Sequence, residues 1–364
     1  MKVLTVGGAM IDTIAIIDSD RIERMTMLNA DNSFLLLEEG RKTEAREIST
    51  HCGGGAVNAA VSMARQGLDV ATLVKLGRDD RAEMIMARLL SEGVSTRWVL
   101  RDARAPTGAS VLVAAHDRNA AIFTFRGANT LLEREDLKPE VFGVDVVYVS
   151  GLSNRSADCF PMIVAQAKAA GALVAANPGV RQLTARGSAL LEALERIDIL
   201  AVNTVEADAL APVLAARCGE GGAALDLLPG EEPPRLVARG IAGGGFELSL
   251  AAFFCALAEL GPRYVVLTDG RHGAFVATRE EIVFCPVIDV PVAGTAGAGD
   301  AFTSTFTAQI ALGSDGETAI RAATLNAASV LGHVDTQTGL LTGEALAARA
   351  SEVAGRLPVR RWRL

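Results

Sequence analysis

Gly294-Thr295-Ala296-Gly297-Ala298-Gly299-Asp300 runs directly into Ala301-Phe302-Thr303-Ser304-Thr305-Phe306-Thr307-Ala308. A glycine-rich turn therefore opens an apolar segment with helix character, and a carboxylate sits at the junction. The free N–H groups of a helix N-terminus and the positive end of its dipole can hold a phosphate or stabilise growing negative charge. Asp300 stands where a carboxylate can accept a proton from an attacking hydroxyl. An anion cradle and a base at one point suit phosphoryl transfer to an alcohol. The segment alone is equally compatible with a plain turn in which Asp300 caps a helix.

A second segment narrows the choice. His51-Cys52-Gly53-Gly54-Gly55-Ala56-Val57-Asn58-Ala59-Ala60 also enters a helical pattern, which continues to Gln66 and stops at Gly67. Consecutive glycines let a ligand approach the backbone closely. The Asn58 amide can donate and accept hydrogen bonds, which suits a polyol. Gly53, Gly54, Asn58, Ala60, Gly67 and Gly77 resemble the N-terminal signature of the ribokinase-like (PfkB) carbohydrate kinase family across its full spacing. The Gly297–Asp300 segment resembles that family's C-terminal signature, and the resemblance covers nearly the whole chain. It implies an α/β, ribokinase-like fold: a mostly parallel central sheet with helices on both faces, plus a small β lid. It also implies an ATP-dependent carbohydrate kinase that uses ATP and Mg2+.

The resemblance assigns roles to residues. Asp300 is expected to be the general base, with the N–H groups of Ala298, Gly299 and Asp300 in the turn opened by Gly297 forming the anion hole. Asp12, Gly53, Gly54, Asn58 and Asn129 are expected around the acceptor. Asp12 ends the first strand region, where α/β sheets bind ligands. Asn129, in Gly127-Ala128-Asn129, either meets substrate or caps a turn. Asn203-Thr204-Val205-Glu206 resembles the family's NxxE element, with Glu206 holding Mg2+ through water. The same four residues also suit an ordinary helix start. Thr268, Gly270 and Gly273 resemble the nucleotide-phosphate loop, and Asn326 a position beside the adenine. Arg181 is placed to reach a phosphate or a substrate carboxylate. His51 is read as a supporting or surface residue.

Three positions depart from the family pattern. Gly55 replaces a usual Lys, which removes one substrate or phosphate contact. Gly294 replaces a usual Asp that helps bind potassium in cation-activated members. Thr305 replaces a frequent glycine, a change read as packing.

The bulk properties set limits. At 364 residues with half of them apolar, the chain can bury a large core. The formal charge of -8 and the scattered basic residues argue against a nucleic-acid or membrane-surface partner. The five cysteines are dispersed with no CxxC, which suggests reduced thiols and a cytoplasmic protein. No HExxH or Cys/His cluster implies a tightly held metal. The N-terminus reads as a buried strand and not a signal peptide. The run from Leu248 to Leu260 is too short to span a bilayer.

Short apolar runs alternate with helical patterns along one ribokinase-like domain, 1–364. Strands are expected at Lys2–Val6, Val70–Leu76, Val144–Ser150, Ala172–Ala176, Ile197–Val202, Tyr264–Thr268 and Ala274–Thr278. Helices are expected at Asn58–Gln66, Arg81–Glu92, Pro161–Ala170, Ala189–Arg196 and Phe246–Glu259. Lid segments are expected at about 13–49 and 109–126, the second a hairpin, with a family-atypical insertion at about 211–245. The expected partners are a small sugar and ATP, and a second copy of the chain through the lid.

The chain has no P-loop GxxxxGK[ST] and no protein-kinase motif set. It also lacks the GxGxxG that a dinucleotide oxidoreductase needs after its first strand. The leading expectation is ATP-dependent phosphorylation of a primary hydroxyl of a small sugar or sugar acid. A nucleoside kinase of the same fold is the alternative, and a non-catalytic sugar or nucleotide sensor a weaker one.

Overall fold

The structure is a computed structural model that describes residues 1–364 except 19–22, 27–32, 37–39, 41, 116–119, 228–229, 231, 354 and 356. Nine strands form the central sheet. In spatial order they are Arg360–Arg363, Glu281–Cys285, Ala274–Ala277, Tyr264–Thr268, Ile199–Asn203, Leu173–Asn177, Val146–Ser150, Lys2–Val6 and Asp69–Leu73. From Tyr264–Thr268 to Asp69–Leu73 every pairing is parallel, and the other three strands run antiparallel. The central strands are apolar on both faces because both faces are covered. In Val146–Ser150 all five residues are buried. Val147 and Val149 face one core layer with Phe253 and Phe254, while Val146 and Tyr148 face the other with Met63 and Phe306. That is the period-two alternation of a strand put to use on two sides.

A second sheet of four strands stands apart, in the order Ala120–Phe125, Gly108–Ala115, Met10–Ile17, Glu47–Gly53. It holds the hairpin expected within 109–126 and part of the segment expected at 13–49. Residues 19–22, 27–32, 37–39 and 41 of that segment lie outside the described ones.

One expectation needs correction. The predicted helix Phe246–Glu259 is a short strand, Phe246–Leu248, followed by the helix Leu250–Glu259. Ser249 breaks the run: its side chain accepts a hydrogen bond from Ala252 N at 3.1 Å and caps the helix. In the stretch 211–245, expected to be partly loop, the helix Thr204–Cys218 runs through the first residues. Ala-rich composition suits a helix as well as a loop, and Leu210, Ala211, Leu214 and Ala215 give that helix a buried face. Among the described residues no helix is long and apolar enough to cross a membrane.

Candidate active site

The two signature segments meet in space. Asp300 is the third residue of the helix Ala298–Ala311, so it lies among the N–H groups that have no partner within the helix. Gly297 caps that helix with a left-handed φ of 80°. A Cβ there would lie 2.6 Å from Thr336 Cβ, so the turn needs glycine for both backbone and space. A Cβ at Gly299 would meet nothing within 4 Å, which leaves an open cradle over the free N–H groups. The helix Gly55–Arg65 brings Asn58 alongside. Asn58 Nδ2 donates to Asp300 Oδ2 at 2.8 Å. Its Oδ1 accepts from Thr336 Oγ1 at 2.9 Å and Gln337 Nε2 at 3.0 Å. Asn58 thus holds Asp300 and is itself held by the loop 335–338.

Burial pushes the Asp300 carboxyl above its ordinary range. The Asn58 hydrogen bond opposes that shift and the Asp12 charge adds to it. Asp12 is likewise raised by burial, against the Ser110 hydroxyl, which donates to Asp12 Oδ1, and against His51. The two carboxylates therefore lie near enough for the Asp12 charge to act on Asp300. Gly53 packs directly on Asp12 Oδ2, and a Cβ at Gly54 would lie 2.5 Å from Gly8 O. Here the glycines serve close packing of the strand Met10–Ile17 against the helix start. The Gly55 departure has the same cause: a Cβ there would be 2.8 Å from Ser150 Cβ.

A cavity of about 530 Å³ opens on the other side of the turn, a size that suits a small cofactor or nucleotide. Thr295, Ala298 and Gly299 line one end, Asn203, Thr268, Gly270 and Gly273 another, and Ile288, Ala327, Ala328 and Leu331 form an apolar slot. The wall stops one residue short of Asp300. Gly273 is fixed by packing, since a Cβ would lie 2.6 Å from Cys285 O. Asn326 is not in this wall. It is fully buried, donates to Thr305 Oγ1 at 2.7 Å and accepts from Leu341 N at 2.8 Å. Thr305 also accepts from Gln66 Nε2 at 3.2 Å, so the Thr305 departure builds a polar joint between helices.

Asn203 and Glu206 form a reciprocal capping box: Glu206 N donates to Asn203 Oδ1 at 3.0 Å and Asn203 N to Glu206 Oε2 at 2.9 Å. Burial nonetheless pushes the Glu206 carboxyl up to about 7, with Asp300 adding to the shift. Asn129 is spent on the backbone of Ala9, accepting from its N–H at 2.9 Å and donating to its C=O at 2.8 Å. It anchors the turn before Asp12.

Sequence reasoning missed two elements. The loop 335–338 supplies the Thr336 and Gln337 donors to Asn58, yet these are ordinary polar residues almost 280 positions along the chain. Arg235, at the start of the helix Arg235–Arg239, forks onto buried Asp269 in the loop after the strand Tyr264–Thr268, with Nε to Oδ2 at 3.0 Å. An acid between Thr268 and Gly270 was the available signal.

The sequence matches the pfkB family carbohydrate kinases over residues 12–225 and 247–342. The chain belongs to that family. It is an ATP-dependent carbohydrate kinase with a ribokinase fold, a sugar or nucleoside kinase in substrate class. The deoxyribokinase of Salmonella typhi is 25% identical over 320 residues, 86% of this chain and 91% of that one. The Arabidopsis thaliana ribokinase complexed with ribose and ATP superposes with a TM-score of 0.69 at 20% identity, covering 95% and 97% of the two chains. The Burkholderia thailandensis nucleoside kinase in complex with inosine gives 0.69 at 19%, covering 98% and 100%. The family match breaks between 225 and 247, around the Arg235 helix.

Gly294 bears on cation dependence. A Cβ there would lie 2.9 Å from His333 O and 3.1 Å from Val334 O, so no carboxylate can replace it without displacing backbone. Potassium is expected to change kcat little when compared with a bulky organic cation at matched ionic strength. A large rise with potassium would refute this.

Proposed function

We propose that this kinase transfers the γ-phosphoryl group of ATP to a primary hydroxyl of a small sugar or sugar acid. The carrying observation is Asp300: a carboxylate in the first turn of the helix whose start lines the cavity, held by Asn58 and in the field of Asp12. The acceptor hydroxyl gives its proton to Asp300 as its oxygen bonds to phosphorus, and ADP leaves. The N–H groups of Ala298, Gly299 and Asp300 hold the charge on the transferring group. Asp12, oriented by Ser110, binds neighbouring hydroxyls. Thr268 and Gly270 line the nucleotide end. Glu206 fits Mg2+ held through water, because its buried, proton-hungry carboxyl lies in the field of Asp300 and gains from a nearby cation. Mg2+ would neutralise phosphate charge there.

Strand geometry favours a sugar over a nucleoside. Asp12 pairs with Ser110, and Ser110 with Thr124, in one row across the lid. Phe123 and Phe125 flank Thr124 and so point to the opposite face, where they are 59% and 51% exposed. The aromatic rings best suited to stacking on a base thus face away from Asp12. That outer face also exposes Val111 and Ile48, and it is where the expected homodimer would form through the lid.

The test is kcat/KM for adenosine, inosine and cytidine beside ribose, fructose and 2-keto-3-deoxygluconate. A sugar or sugar acid is expected to lead. Any nucleoside exceeding every sugar by more than about tenfold, roughly 1.4 kcal/mol of transition-state preference, would replace this reading with a nucleoside kinase.

A further inference from the structure

Residues 226–246 fall in the gap of the family match. The helix Arg235–Arg239 and the strand Ile241–Gly243 lie within that gap. Leu236 and Ile241 are fully buried in the core layer that holds Leu210, Phe253 and Phe254, so the stretch is seated in the fold. From that seat two arginines reach to different partners. Arg235 Nε donates to Asp269 Oδ2 at 3.0 Å, and its Nη2 donates to Oδ1 of the same carboxylate. Arg239 Nη2 donates to Asp208 Oδ2 at 2.7 Å, and Ala242 N donates to Asp208 Oδ1 at 3.1 Å. Gly243 packs so closely on the Asp208 backbone that a Cβ would not fit.

Both acids belong to segments that wall one end of the cavity. Asn203 and Thr268 are register partners in adjacent parallel strands. The helix Thr204–Cys218 leaves one strand, and Asn203, Thr204 and Val205 at its start line the cavity. Asp208 is the fifth residue of that helix. The loop 268–273 leaves the other strand, and Thr268, Gly270, Arg271 and Gly273 line the cavity while Asp269 does not. That loop is a tight turn: Asp269 N donates to Gly273 O at 2.8 Å and His272 N to Asp269 O at 3.0 Å. Gly270 and Gly273 have left-handed φ values of 54° and 108°. Glycines give such a backbone wide conformational freedom, and a bidentate fork onto Asp269 supplies a fixed point in it. The two links differ in burial. The Asp269 side chain is 2% exposed, so its charge depends on Arg235 for pairing. The Arg239–Asp208 pair is 36% and 27% exposed, where an ion pair counts for less.

We propose that Arg235 is a positioning residue for the nucleotide: through Asp269 it holds the loop 268–273 in the form that receives ATP. The stretch 235–243 is the brace, seated by Leu236 and Ile241 and tied by Arg239 to the neighbouring wall. Arg235 is not in the cavity wall and acts through Asp269. A loop held in place before binding loses less freedom when the nucleotide arrives, so the contribution falls on ATP affinity. The acceptor groups Asp12 and Asp300 lie on other elements, the strand Met10–Ile17 and the helix Ala298–Ala311, and are not touched. This rests on the kinase reading above, in which the cavity takes the nucleotide.

The experiment compares wild type with Arg235→Gln, Arg235→Lys and the double variant Arg235→Gln/Asp269→Asn. The readouts are calorimetric Kd for MgATP, KM for ATP, KM for the better acceptor of ribose, fructose and 2-keto-3-deoxygluconate, and melting temperature. Arg235→Gln is expected to raise Kd and KM for ATP by about tenfold, the scale of a lost hydrogen bond to a charged group. KM for the acceptor is expected to stay within about twofold, the scatter of independent sites. Arg235→Lys should restore part of the loss, since it keeps the charge without the fork. The double variant leaves no buried charge unpaired, so it should regain the melting temperature lost in Arg235→Gln yet keep the weakened ATP binding. It also carries the test if Arg235→Gln does not fold. The proposal is overturned if ATP affinity in the folded variants stays within about twofold of wild type, or if KM for the acceptor rises as much as KM for ATP. It is also overturned if the double variant regains ATP affinity together with stability, since the pair then only supports the fold. MgATP binding that Arg235→Gln weakens, with no acceptor phosphorylated by wild type, would sink the kinase reading and keep the brace.

Discussion

Asp300→Asn is expected to lower kcat by about 10²–10⁴-fold, the usual cost of removing a general base, while ATP affinity stays near wild type. The amide keeps the shape of the carboxylate and can still accept from Asn58 Nδ2, which donates at 2.8 Å in the native protein. The nucleotide cavity ends at Gly299 and its N–H groups are untouched. What disappears is the proton acceptor. Stability provides a control. The folded-state pKa of Asp300 is raised, mainly by burial. The stability attached to a raised group is fully present below its unfolded pKa and lost as pH rises through the folded value. Ionised Asp300 is therefore a burden on the fold above that value, and Asn removes it. The variant is expected to melt at the same or a higher temperature than wild type at pH 8. More than about a tenth of wild-type kcat in a folded variant would end the assignment of Asp300 as base.

The parts of this site that the sequence exposes are those made by one short segment acting alone. Gly297 and Asp300 are legible because a turn, a helix start and an acid are adjacent in the chain. The central strands are legible because burial on both faces leaves an unbroken apolar run, as in Val146–Ser150. Roles assigned one residue at a time fare worse, because an amide in the sequence does not say which way it faces. Asn58, Asn129 and Asn326 all carry groups suited to a ligand. In the fold they hold Asp300, the Ala9 backbone and the Thr305 joint respectively. Their partners lie many residues away, so no local pattern could reveal them. The Arg235–Asp269 fork is hidden for the same reason.

Asn58→Ala should separate a residue that tunes the base from one that only supports the fold. Asn58 donates to Asp300 Oδ2, and that hydrogen bond is the largest effect opposing the upward push of burial. A hydrogen bond to a charged group is worth about 1.5–3 kcal/mol. Without it the Asp300 pKa moves further up. A base works in its deprotonated form, so the acid limb of the kcat/KM profile is expected to move to higher pH. On the acid side of the profile activity should then fall by about tenfold or more, and the loss should shrink as pH rises. Thr336→Val is the companion variant. It removes one donor to Asn58 Oδ1, at 2.9 Å, and leaves the Asn58–Asp300 bond in place. It is expected to lower the melting temperature without moving the acid limb. If Asn58→Ala instead loses activity equally at every pH, Asn58 is a packing residue whose bond to Asp300 does not set the base.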